Sequence, residues 1–151
     1  MTLIEPRSTS TAAEFVDFFD RGWRAGAGEQ FFAHFLPRIH PDVLLTQPLA
    51  PPVRGKDNFR AAFEPVFHAI PDLHGEVTHW GETEDGVIVE MPLSGHLGGR
   101  PVRWVTMDRI VLADGMIKER HAQFDPLPLV KAMVLRPQIS LRLLPHLLRR
   151  R

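Results

Sequence analysis

The chain of 151 residues contains no cysteine, so a disulfide framework and a thiolate nucleophile are both excluded. Tyrosine is absent as well, which removes the phenol as an acid or an oxyanion donor. No run of about 18 apolar residues occurs, so no transmembrane helix is expected. The opening "MTLIEPRSTSTAAEF" lacks the apolar stretch of a secretory signal, and a cytoplasmic protein is expected. The histidines are scattered, with no HxH or HExxH pair, so neither a metal site nor any other cofactor is expected. "GHLGGR" joins two strands rather than opening a helix, and so reads as a turn rather than a phosphate cradle.

Charge is present but divided. All 18 acidic residues lie at or before Asp125, where 12 basic residues leave the body at −6. Residues 131–151 hold the other six basic residues, Lys131, Arg136, Arg142, Arg149, Arg150 and Arg151. An acidic body argues against nucleic acid as a partner. The division suggests a domain over 1–130 and a basic, leucine-rich helical tail over 131–151.

Helical spacing dominates the first half. Thr11-x-x-Glu14 is a capping box, followed by Phe15, Phe18, Phe19 and Trp23 at helical intervals. "EQFFAHFLPRI" predicts a short second helix ended near Pro37, and "DVLLTQPL" a short strand stopped by Pro48. "RGKDNFRAAFEPVFHAI" predicts a third helix, with a kink or a late start at Pro65. From Leu73 the period becomes two. "LHGEVTHWGET", "GVIVEMPLSGHL", "PVRWVTMDRIVL" and "MIKERHAQFD" predict four strands joined at "EDG", "GG" and "DG". The fold class is α+β, with helices packed on one face of an antiparallel meander.

Two-residue turns at Gly98-Gly99 and Asp114-Gly115 set a register. Leu93 then faces Trp104, Met91 faces Thr106, Val89 faces Asp108, and Asp108 faces His121. One face gathers Val89, Met91, Leu93, Trp104, Thr106, Asp108, Ile110, His121 and Gln123, an apolar wall with a polar centre. The other gathers Glu90, His96, Arg103, Arg109, Lys118 and Arg120, with Val105 and Met107. A bulged turn at "ADG" would break the Asp108–His121 match. Paired across strands inside a pocket, Asp108 and His121 suit general acid–base chemistry. The alternative is a buried ion pair that only satisfies itself.

"LTQPLAPPVRGKDNF" and "GMIKERHAQFDPLPLV" resemble stretches of the nuclear transport factor 2-like superfamily, SnoaL-like branch, a relative of ketosteroid isomerases and limonene epoxide hydrolases. The resemblance covers about residues 10–130. It implies a strongly curved, cone-shaped sheet around the N-terminal helices, enclosing an apolar pocket. It also implies cofactor-free isomerase, cyclase or hydrolase chemistry on a polyketide-, terpenoid- or steroid-like molecule, or else a non-catalytic ligand-binding or dimerisation module of the same fold. The isomerase base position holds Gln47, and the tyrosine of that family's oxyanion site has no counterpart. The final-strand aspartate of the epoxide hydrolases falls at Ala122. SnoaL-type cyclases use a histidine and an aspartate on the last two strands, and here Asp108 and His121 stand with the types exchanged. Gln47 and Gln123 would orient polar groups, while Met91, Trp104 and Thr106 would line the pocket. The resemblance further implies a homodimer through the outer sheet face. For the tail, fold-back onto the acidic body is favoured over contact with a membrane, because Pro137 and Pro145 interrupt any lipid-facing stripe.

Overall fold

The computed structural model describes residues 11–135. Three helices come first: α1 (Thr11–Ala25), α2 (Glu29–Phe35) and, after a hairpin of β1 (Ile39–Gln47) and β2 (Ala50–Arg54), α3 (Phe59–Ala69). The strands β3 (His74–Gly75), β4 (His79–Thr83), β5 (Gly86–Leu97), β6 (Arg100–Ala113) and β7 (Met116–Gln123) follow, and α4 (Leu127–Val134) closes the described chain. The capping box at Thr11 falls at the edge of the described residues. The basic tail lies outside them beyond Leu135, and α4 runs across the boundary expected at residue 130.

Aromatic residues at helical spacing make the core. Phe31 of α2 sits within ring-contact distance of Trp23 (5.0 Å), Phe35 (4.6 Å), Phe63 (5.0 Å) and Phe67 (4.9 Å). Three helices are thus fastened through one ring, and truncating it would leave a cavity costing about 3–5 kcal/mol. Phe59, Phe63 and Phe67 form the buried stripe of α3. Pro65 lies inside that helix rather than at its start, on the side facing a cavity.

The curved sheet is mixed, with order β2-β1-β7-β6-β5-β3 and β4 also paired to β5. The meander β5–β6–β7 is antiparallel as expected, but β1 runs parallel to β7. Pro48 does end the first strand. The chain then turns at Pro48-Leu49 and returns as β2, whose Pro51 and Pro52 are tolerated because β2 is an edge. The expected strand "LHGEVTHWGET" is divided into β3 and β4. At the break, the carboxylate of Asp20 on α1 accepts the Val77 N–H at 2.8 Å. At the other end of β3, His96 donates its main-chain N–H and a ring N–H to Asp72. These bonds hold the Asp72 carboxyl below its ordinary range, the ring bond contributing most.

Both hairpin turns form as their residues demand: Gly98, Gly99, Asp114 and Gly115 all have positive φ. The β5–β6 register is the expected one, with Leu93 opposite Trp104, Met91 opposite Thr106 and Val89 opposite Asp108. The β6–β7 register is not. Ala113 pairs with Met116 and Leu112 with Ile117, but Val111 then pairs with Glu119. Lys118 is an extra residue, a β-bulge two pairs beyond the turn. Past a bulge every side chain exchanges faces. Asp108 therefore lies opposite Ala122, not His121. Arg120, expected outside, is buried, and His121 and Gln123 turn outward.

Candidate ligand cavity

α3, the β1–β2 hairpin, the inner face of β5–β6 and α4 enclose a cavity of about 520 Å³. That size falls among small-molecule sites, which run to roughly 300–1,000 Å³. Its wall is mostly apolar: Leu45, Val53, Val66, Ile70 and Leu93 contribute, and Leu129 and Met133 of α4 close one side. Pro48 and Leu49 of the β1–β2 turn reach the rim, with Leu49 held at φ 66°, an uncommon conformation for a non-glycine residue. Polar side chains in the wall are Gln47, Glu64, His68, Thr106 and Arg120.

Arg120 organises the polar end. Its Nε donates to Asp108 Oδ2 at 2.6 Å, and its Nη2 lies 2.6 Å from the same oxygen. Thr106 donates its hydroxyl to Asp108 Oδ1, also at 2.6 Å. Asp108 is wholly buried and the Arg120 side chain is 7% exposed. Burying either charge alone is prohibitive; paired and hydrogen-bonded, the two balance. The guanidinium carbon lies 5.5 Å from the Trp23 ring and 5.6 Å from that of Phe63, within cation–π range of both. The aromatic rings and the carboxylate thus hold the guanidinium in the cavity wall, and the Thr106 hydroxyl fixes the carboxylate. Nearby, the Trp104 indole N–H is buried without a hydrogen-bond partner among the described residues.

The residues singled out in the sequence part company here. Gln47, Trp104 and Thr106 line the cavity. Asp108 lies behind the wall, bonded to Arg120. Met91 points inward but is sealed in the core rather than lining the cavity. His121 is on the opposite face, where Thr46 Oγ1 lies 2.8 Å from its Nδ1 and Glu119 Oε2 lies 2.7 Å from its Nε2. The expected Asp108–His121 proton pair therefore does not form. Gln123 is exposed, and only its main-chain carbonyl approaches the site, 3.5 Å from the Thr106 hydroxyl. Among the described residues no cluster of His, Asp and Glu is arranged to hold a metal ion. Arg120, His68, Glu64 and the α4 residues were not singled out. One signal for Arg120 was present: strict alternation in "MIKERHAQ" put Glu119 opposite Ile110 on the apolar face with no cation to meet it. A single extra residue replaces that carboxylate with the arginine that Asp108 needs.

Among curated proteins none matches in sequence. A SnoaL-like polyketide cyclase, so named with reservation, from Jannaschia sp. CCS1 superposes with a TM-score of 0.69 at 22% identity, covering 87% of this chain and 96% of that one. TerC, crystallised with polyporic acid, gives 0.69 at 17% identity, covering 83% and 99%. A limonene epoxide hydrolase-like enzyme from M. tuberculosis gives 0.66 at 16% identity, covering 88% and 96%. At these identities the likeness is one of fold. The SnoaL-like domain family matches residues 14–120, from the first turn of α1 to Arg120 itself, and the chain belongs to that family within the nuclear transport factor 2-like superfamily.

Proposed function

We propose that this cavity binds a small, mostly apolar molecule of polyketide-, terpenoid- or steroid-like size through a neutral carbonyl oxygen. The observation that carries this is the Arg120 guanidinium, buried in the wall of an otherwise apolar cavity and already balanced by Asp108. A lone cation would select a carboxylate. A balanced pair offers N–H donors without net charge, and a carboxylate placed there would leave one negative charge uncompensated. A ketone or quinone oxygen fits better. TerC, of the same fold, was crystallised with polyporic acid, which agrees with a small organic ligand. The test is calorimetric titration with acetylanthracene, ethylanthracene and anthracene carboxylate. The ketone should bind about tenfold tighter than the other two, the energy of one hydrogen bond to a charged group. Equal binding of ketone and hydrocarbon would refute the anchoring role of Arg120.

A second reading is catalytic. His68 and Glu64, one turn apart on α3, are exposed and line the same cavity as Arg120. A carbonyl held by Arg120 is polarised, and an enolate formed there is stabilised. A rim histidine or carboxylate then has a proton to move. Under this reading the protein exchanges the α-hydrogens of a bound ketone with deuterated solvent, and the double variant Glu64→Gln, His68→Ala abolishes the exchange. Binding without turnover gives none.

We also propose a homodimer through the outer sheet face. Ile88, Val105 and Met107 stand exposed there among Glu90, Arg103 and Arg109, the mixture of a wet interface.

A further inference from the structure

The inner face of β6 carries a short row of polar side chains in an otherwise apolar wall. Asp108, Thr106 and Trp104 stand at alternate positions of the strand, all buried. The Asp108 carboxylate accepts from Arg120 and from the Thr106 hydroxyl, so these groups satisfy one another. Trp104, at the end of the row, has no such neighbour. Its indole N–H is the one buried side-chain polar atom without a partner among the described residues. Trp104 is 6% exposed and stands in the cavity wall. A buried indole N–H usually finds an acceptor, because an unpaired one keeps its whole desolvation penalty. An orphan donor in the wall of a ligand cavity marks a place for an acceptor that the protein does not supply.

The surroundings narrow what that acceptor is. Leu93 lies opposite Trp104 on β5 and the Phe124 ring lies 6.0 Å from the indole, both in the cavity wall. Neither offers a cation, so an anion brought here would be buried uncompensated, and a neutral oxygen fits. Phe124 is the neighbour with room to give. It is half-buried and belongs to neither β7 nor α4, so its ring can swing aside without disturbing either element. The position along the strand sets the reach. Arg120 is bonded at the level of Asp108. Trp104 lies four residues further along β6, at most about 14 Å away at about 3.4 Å per residue. The two donors therefore stand well apart along one apolar wall.

We propose, on the premise that Arg120 holds one carbonyl, that the ligand carries a second neutral oxygen at its other end and that the Trp104 indole N–H donates to it once Phe124 has swung aside. The class selected is an elongated apolar diketone, with an oxygen at each end of a rigid ring system. Trp104 is then a specificity-determining residue. It favours the second oxygen over a hydrocarbon group of the same size, because only the oxygen pairs the buried donor.

Calorimetric titration with three anthracenes of matched length tests the two anchors separately. One carries an acetyl group at each end, one an acetyl and an ethyl, and one two ethyls. Diacetylanthracene should bind about tenfold tighter than acetyl-ethylanthracene, the effect of pairing a donor otherwise left unpaired. Trp104→Phe should remove that gain. Because the gain is a ratio of two ligands on one protein, packing lost with the smaller ring cancels. A first acetyl that tightens binding over the diethyl compound, with a second that adds only the statistical advantage of two equivalent ends, overturns the proposal and leaves Arg120 as the anchor. No gain from either acetyl overturns both. A gain that persists in Trp104→Phe also overturns the proposal. The unaltered protein gives a second readout that does not depend on the variant folding. Its indole N–H resonance should lie further downfield in the diacetyl complex than in the acetyl-ethyl complex, as a new hydrogen bond requires, and coincident resonances would rule the bond out.

Discussion

Arg120 and Asp108 make each other possible. Each would cost several kcal/mol buried alone, and each supplies the charge the other lacks. Arg120→Met should therefore lower stability by about 3–5 kcal/mol, since it strands a wholly buried carboxylate. Asp108→Leu should cost a similar amount for the converse reason. The double variant should recover most of the loss, because an apolar pair fills the space without a buried charge. Urea unfolding of the four proteins checks this, and additive losses would show that the two residues do not act as a pair. Asp108 was legible in the sequence as a carboxylate on an apolar face that needs a partner. Its partner was not, because His121 and Arg120 are adjacent residues, and one extra position in the strand exchanges them.

The bulge at Lys118 is the element that makes this choice. Its neighbours "IKER" carry no glycine and no proline, so nothing local announces it. What demands it is tertiary: β7 must present Ile117 to the core on one side of the bulge and Arg120 and Ala122 on the other. Removing Lys118 leaves Leu112 opposite Ile117, Val111 opposite Glu119 and Ile110 opposite Arg120, now as a regular ladder. The deletion should fold with Arg120 still inside, at a cost of about 1–2 kcal/mol. An alanine inserted between Glu119 and Arg120 turns the arginine outward, strands Asp108, and should unfold the protein or cost about 3–5 kcal/mol. Thermal unfolding of the two variants separates these outcomes. Elsewhere local chemistry did announce the structure. Both Gly-containing hairpin turns, the aromatic stripes of α1 to α3 and the β5–β6 register could be read directly. The parallel pairing of β1 with β7 could not, since it joins segments about 75 residues apart and leaves no mark in either. The β1–β2 hairpin was hidden because prolines in "APPVR" read as loop, and only an edge position admits them to a strand.

At the scale of the molecule, the sheet separates two surfaces with different work. Its inner face and α3 hold the cavity, and α4 covers one side. Its outer face carries Ile88, Val105 and Met107, the proposed dimer contact. Val105→Glu with Met107→Lys should convert a dimer into a monomer in sedimentation at micromolar concentration without lowering the melting temperature, because neither side chain is buried in the single chain. A wild-type monomer under those conditions would contradict the dimer. The central claim is that Arg120 is the polar anchor of the cavity, and side-chain nitrogen NMR tests it most directly. Its Nε–H, held by Asp108, should exchange slowly and give a distinct guanidinium resonance. Adding acetylanthracene should shift that resonance together with the indole N–H of Trp104, while the ring signals of His121 on the far face of the sheet stay in place. Binding that moves surface resonances and leaves Arg120 and Trp104 unchanged would contradict the account.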